Sequence, residues 1–142
     1  MKNNVTGKAC ITIDAPATAV WEALTTPAII KKYFFGTEAI SDWQPGSPIT
    51  FKGEYKGKTY EDKGVIRQIK PEKIIQYTHF SPLTGLPDIP ENYHLVTIEL
   101  TAKDKQTRVV LSQDNNATAE AQQHSEKNWS QMLSGLKKVL EE

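Results

Sequence analysis

Few residues in this chain combine the type and the spacing that chemistry needs, and the carboxylate Asp62 heads them. It lies in Tyr60-Glu61-Asp62-Lys63-Gly64-Val65-Ile66, where alternation puts Tyr60, Asp62, Gly64 and Ile66 on one face of a strand. If that face turns inward, the carboxylate needs a hydrogen-bond partner or a ligand. A strand end projecting past the core would leave it solvated, and that plainer reading is the favoured one. His79 lies near the end of the strand expected over residues 73–80. There Ile75, Tyr77 and His79 share one face, and Ile74, Gln76, Thr78 and Phe80 the other. Both faces are mixed, so alternation leaves open which one meets the core. Convergence of Asp62, His79 and Tyr60 in a pocket would supply the titratable groups of acid–base chemistry.

Other chemistries lack their spacing. His79, His94 and His124 form no H-x-H or H-E-x-x-H, and no C-x-x-C exists, so no metal is expected. Gly53-Glu54-Tyr55-Lys56-Gly57-Lys58-Thr59 has three residues between its glycines where a phosphate loop needs four. Residues 58–66 alternate as a strand, where that loop needs a helix N-terminus, so the segment reads as a hairpin turning at Lys56-Gly57. No serine occupies a G-x-S-x-G elbow. The lone Cys10 lies mid-strand, where cysteine is usually a small buried hydrophobe. No catalytic residue is assigned, and no cofactor is expected.

Composition narrows the class further. The 142 residues fit one domain, read as 1–142, and are enough to build a core without staples. Seventeen Lys+Arg balance seventeen Asp+Glu, and a nucleic-acid binder would carry a basic excess. Only Arg67 and Arg108 are arginines, too few for bidentate phosphate reading. No apolar run is long enough for a membrane span, and Met1-Lys2-Asn3-Asn4 opens no signal sequence. With one cysteine and no signal, a cytoplasmic location is expected.

The elements that must position Asp62 and its neighbours follow from periodicity. Residues 5–13 read as a strand with Ala9, Ile11 and Ile13 on one face. Asp14-Ala15-Pro16 and Thr26-Pro27 are helix starts, followed by Val20, Trp21 and Leu24, then by Ile29, Ile30, Tyr33 and Phe34. Beyond Gly36 the period falls to two. Strands carry Ile49 and Phe51, then Tyr60 to Ile66, then residues 73–80, Val96 to Leu100, and Val109 to Gln113. From about residue 117 helical spacing returns, with Trp129, Met132, Leu133, Leu136, Val139 and Leu140 as one stripe. Short turns between most strands imply an antiparallel sheet in an α+β layout.

Ile13-Asp14-Ala15-Pro16-Ala17-Thr18-Ala19-Val20-Trp21-Glu22-Ala23-Leu24-Thr25 resembles the opening I-x-A-P-x-x-x-V-W-x-x-L-T of START-like SRPBCC proteins. More narrowly, it is similar to the branch related to the C-terminal domain of the activator of the heat-shock-ninety ATPase. Trp43-Gln44-Pro45-Gly46-Ser47, Gly64-Val65-Ile66 leading to Pro71, and Asn128-Trp129 with Leu133, Leu136 and Leu140 carry the resemblance further. It implies a helix-grip fold: about seven curved antiparallel strands around a long C-terminal helix, with two short helices closing one end. It also implies an apolar cavity between sheet and helix. Ser47 stands where many relatives have glycine, and Gln113 where a histidine is common, so no polar cavity role is carried over.

The expected function is therefore non-catalytic binding of a small, mostly apolar molecule in that cavity, of about 300–1,000 Å³. Phe51, Tyr60, Trp129 and Met132 would form its wall, Asp62 its polar anchor, and the loop 81–91 would cover its mouth. A cyclase- or dehydratase-like enzyme using Asp62, His79 and Tyr60 is the alternative. A co-chaperone-like interaction domain is less favoured, because charges of both signs are interleaved along the chain. A homodimer remains open.

Overall fold

The computed structural model describes residues 5–34, 36–55, 57–82, 85–116 and 118–141. The chain runs β1 (Val5–Ile13), α1 (Ala17–Thr25), α2 (Pro27–Tyr33), β2 (Glu38–Ser41), β3 (Pro48–Tyr55), β4 (Lys58–Lys70) and β5 (Ile74–His79). A single 3₁₀ turn at Pro90–Asn92 precedes β6 (His94–Lys103), β7 (Gln106–Asn116) and α3 (Ala119–Glu141). The strands form one antiparallel sheet ordered β1-β7-β6-β5-β4-β3-β2. This is the expected α+β helix-grip layout, with two short helices after the first strand and a long one at the end.

Local chemistry sets the breaks. Proline disfavours helical geometry in the residue before it. Thr26 accordingly lies at φ −110°, ψ 110°, which ends α1 and lets Pro27 open α2. Gly57 at φ +82° turns the β3–β4 hairpin; its neighbour Lys56 lies outside the described residues. Along α3 the buried positions Ser125, Trp129, Met132, Leu133 and Leu136 recur at helical spacing. They meet Ile13, Ile66, Val96, Val109 and Leu111 from the inner face of the sheet in one core.

Strand β1 is a sheet edge, and α3 covers it with polar side chains. Gln122 donates to the Thr6 carbonyl at 2.9 Å, and Lys8 N–H donates to Glu126 at 2.9 Å. Lys137 donates to the Thr12 carbonyl at 2.9 Å, and Asp14 N–H donates to Glu141 at 2.8 Å. Edge groups that would otherwise invite another strand are thereby occupied. The Asp14 N–H first, and then Lys137, hold the Glu141 carboxyl below the usual carboxylate range. Since folding lowers this pKa, its stabilisation is present at neutral pH and is lost as pH falls through the lowered value. Glu141→Gln should therefore lower Tm slightly at neutral pH and leave it unchanged at about pH 2, read by thermal unfolding.

Two expectations are corrected here. Cys10 is exposed, because β1 turns Ala9 and Ile13 inward and Cys10 points to the other face. The 81–91 loop does not cover the inner face. Asp88 pairs with Lys63, and the Tyr93 ring stacks on Phe80 at 5.1 Å. Lys63 and Phe80 both lie opposite in parity to inward-facing Asp62 and His79, so Asp88 and Tyr93 lie on the outer side. Leu83 and Thr84 of this loop lie outside the described residues.

Candidate functional site

Parity across the inner face gathers the candidate residues into neighbouring rows. Phe51 on β3 pairs with Asp62 on β4, and His79 on β5 pairs with His94 on β6. Val96 pairs with Gln113, which brings β7 into the same neighbourhood. Ile75, Tyr77 and His79 therefore face inward, which settles the side that alternation left open. Thr78 and Phe80 are buried as well, Phe80 beneath the Tyr93 ring. Asp62 is not solvated as favoured above: only 15% of its side chain and 19% of that of His79 are exposed.

Asp62 Oδ2 and His79 Nε2 stand 3.1 Å apart. An ionised carboxylate can only accept, so Nε2–H donates, and a neutral ring leaves Nδ1 as an acceptor. Both Asp62 Oδ1 and His79 Nδ1 are buried and have no hydrogen-bond partner among the described residues. Buried polar atoms normally find partners, so this pair stands out. Phe51 packs 6.0 Å from the His79 ring, and His94 lies 6.5 Å from it on the other side. His94 is itself committed: its Nδ1–H donates to the Asp114 carbonyl at 2.8 Å.

An aromatic chain continues from this pair toward α3. Phe51 lies 5.7 Å from both Phe34 and Tyr77, and Phe34 meets Trp129 edge-on at 5.9 Å. Trp129 Nε1–H donates to Gln113 Oε1 at 2.7 Å, which fixes the indole. Burial pushes the Tyr77 phenol up, and burial followed by Tyr77 does the same to Tyr33, so both are neutral. The Tyr33 hydroxyl donates to the Ala23 carbonyl at 2.9 Å.

The pocket among these rings is small. It measures about 30 Å³, room for about one water molecule. Phe51 and Met132 line it, together with Phe34, Tyr77 and Ile98. Tyr60, Asp62 and Trp129 do not. Tyr60 instead lies over Gly53, where a Cβ would sit 2.5 Å from its hydroxyl oxygen, and reaches Thr37 Oγ1 at 2.7 Å. This pocket falls short of the expected 300–1,000 Å³, because four of the large side chains that line it, Phe34, Phe51, Tyr77 and Met132, occupy the grip themselves. A roomier groove of about 260 Å³ runs beside the β6–β7 turn, walled by exposed Thr12, Lys103, Asp104, Gln106 and Arg108.

Sequence reasoning missed Phe34 and Tyr77 as cavity lining and His94 as the neighbour of His79. The signal for His94 was the period of Val96, Ile98 and Leu100, which runs back to it with unchanged parity. Among the described residues, no group of three or more His, Cys, Asp or Glu is placed to hold a metal ion. None of their helices is long and apolar enough to cross a membrane.

Sheet, grip helix and inward acid–imidazole pair define a helix-grip protein with a polar spot on an aromatic inner face. The chain belongs to the family described as "Activator of Hsp90 ATPase homolog 1-like protein", whose model matches residues 14–141. The solution structure of ChR145 from Cytophaga hutchinsonii is similar at 57% identity, with TM-score 0.86 over 99% of this chain and 97% of that one. Protein CV1439 from Chromobacterium violaceum shares the fold at 20% identity and TM-score 0.76, covering 96% and 97% of the two chains. The Aha1 dimer from Colwellia psychrerythraea does so at 22% identity and TM-score 0.74, covering 96% of each. No match was found among curated proteins.

Proposed function

We propose that this protein binds a small, mostly apolar molecule between the sheet and α3, without turning it over. Phe51 and Met132 form the wall, Asp62 is the polar anchor, and Tyr60 and Trp129 frame the rim. The observation that carries this reading is the Asp62–His79 pair, set against the Phe51 ring with two buried polar atoms unpartnered. A core built for stability alone gains nothing from such atoms. With about 30 Å³ free, the ligand enters by displacing Phe34 and Phe51. It acts in the cytoplasm, where Cys10 stays reduced, and the Aha1 dimer among its fold relatives supports a homodimer.

N-phenyl-1-naphthylamine, an uncharged fluorescent probe, tests the reading. Wild-type protein should bind it saturably at one site, and Met132→Trp should weaken binding by about tenfold or more by refilling the grip. A folded wild type that gives no saturable signal would end the proposal.

The 3.1 Å bond between Asp62 and His79 favours a second reading, in which His79 is a general base oriented by Asp62. The cavity of about 30 Å³ ranks it second, because a reacting molecule needs room beside the base.

A further inference from the structure

The binding reading leaves the ligand's polar group unspecified, and the free atoms of the anchor specify it. One Asp62 oxygen and one His79 nitrogen are used on each other, which leaves Asp62 Oδ1 and His79 Nδ1. With Nε2–H donating to the carboxylate and the ring neutral, both remaining atoms are acceptors. Among the described residues, no side chain donates to them. His94 spends its Nδ1–H on the Asp114 carbonyl, Trp129 spends its N–H on Gln113, and the Tyr60 hydroxyl pairs with Thr37. Phe51 has no donor at all; it packs 6.0 Å from the His79 ring and also lines the small cavity. An apolar body that displaces Phe51 would carry its polar end to the pair.

We infer that the ligand is an uncharged aromatic or alicyclic alcohol, whose hydroxyl donates to His79 Nδ1 or Asp62 Oδ1. An anionic ligand would meet the carboxylate with like charge in a dry site. An ether or a ketone of the same shape would leave both acceptors unpaired. A site built to hydrogen-bond a hydroxyl rejects the analogue that lacks the donor far more strongly than an apolar pocket rejects a missing methylene. This inference rests on the binding reading above.

The matched pair 2-naphthol and 2-methoxynaphthalene tests it by ligand titration in one buffer. Wild-type protein should bind the naphthol about tenfold or more tighter than its methyl ether. Replacing the pair together, Asp62→Leu with His79→Phe, removes both acceptors without leaving either partner buried alone. In that variant the two affinities should fall within about twofold of one another, with ether binding retained. Equal wild-type affinities for the two probes would overturn the inference and leave the binding reading standing. So would a preference that survives in the double variant, since the hydroxyl would then be read elsewhere. A wild type that binds neither probe overturns the binding reading and this inference with it. Should the double variant fail to fold, the wild-type comparison decides alone.

Discussion

Leu136→Ala is expected to destabilise the fold by about 2–5 kcal/mol. Leu136 is fully buried on α3 and belongs to the same core as Leu133, Met132, Ile13 and Val109. One position away, a Cβ on Gly135 would lie 3.3 Å from the Tyr33 backbone oxygen, so α2 and α3 already touch. A helix pinned this way on one side, and along β1 on the other, cannot collapse into the space that a lost isobutyl group leaves. The upper half of the range follows from that poor relaxation. Urea denaturation should show a lower midpoint at unchanged slope, because the surface exposed on unfolding barely changes. A loss under about 1 kcal/mol would mean that α3 is not gripped by the sheet at this level.

The stripe that contains Leu136 was legible in the sequence because a helix with one buried side imposes a single period. The inner faces of β4 and β6 were legible for the same reason, with period two. Strand β5 was not. Its outer residue Thr78 and the following Phe80 are buried like Ile75 and Tyr77 on the inner face, and Tyr93 returns from the loop to cover Phe80. Two-sided burial erases alternation, and only the pairing of His79 with His94 reveals which way the imidazole points. Asp62 shows the opposite case. Its parity with Gly64 and Ile66 marked it as inward, but the general rarity of buried carboxylates argued for solvent. The partner that makes its burial tolerable, His79, sits 17 positions away on the next strand, and no local pattern announces it. Cavity volume was beyond reach for a different reason. The resemblance implied a hollow grip, whereas the space left over is a small difference between large side-chain volumes. Phe34, Phe51, Tyr77 and Met132 consume nearly all of it.

Gly64→Ala should cost stability where an added methyl on an extended strand ordinarily helps. In a compatible conformation that change gains about 0.4–1 kcal/mol, by restricting the unfolded chain. Gly64 is buried at the crossing of β4 and β5, and its backbone is not in the left-handed region. Space alone therefore decides the sign. A Cβ there would lie 1.6 Å from the Thr78 carbonyl oxygen and 2.5 Å from its carbon. Neither is the end of a flexible side chain, so the strands must separate. The ladder is already irregular here: Val65 N–H donates to Thr78 Oγ1 at 2.9 Å, and the register shifts between Ile66 and Gln68. Prying the strands apart would break that bond and leave the Val65 N–H in need of another partner. We expect a net loss of about 1–3 kcal/mol or more, the range of overpacked sites. The damage should also reach the anchor, since Asp62 and His79 flank this crossing at two residues and one residue from the clashing pair. The His79 ring proton resonances should shift in Gly64→Ala and stay in place in Leu136→Ala, whose lesion lies across the core. A Gly64→Ala protein as stable as its parent, with His79 undisturbed, would mean that β4 and β5 do not approach this closely.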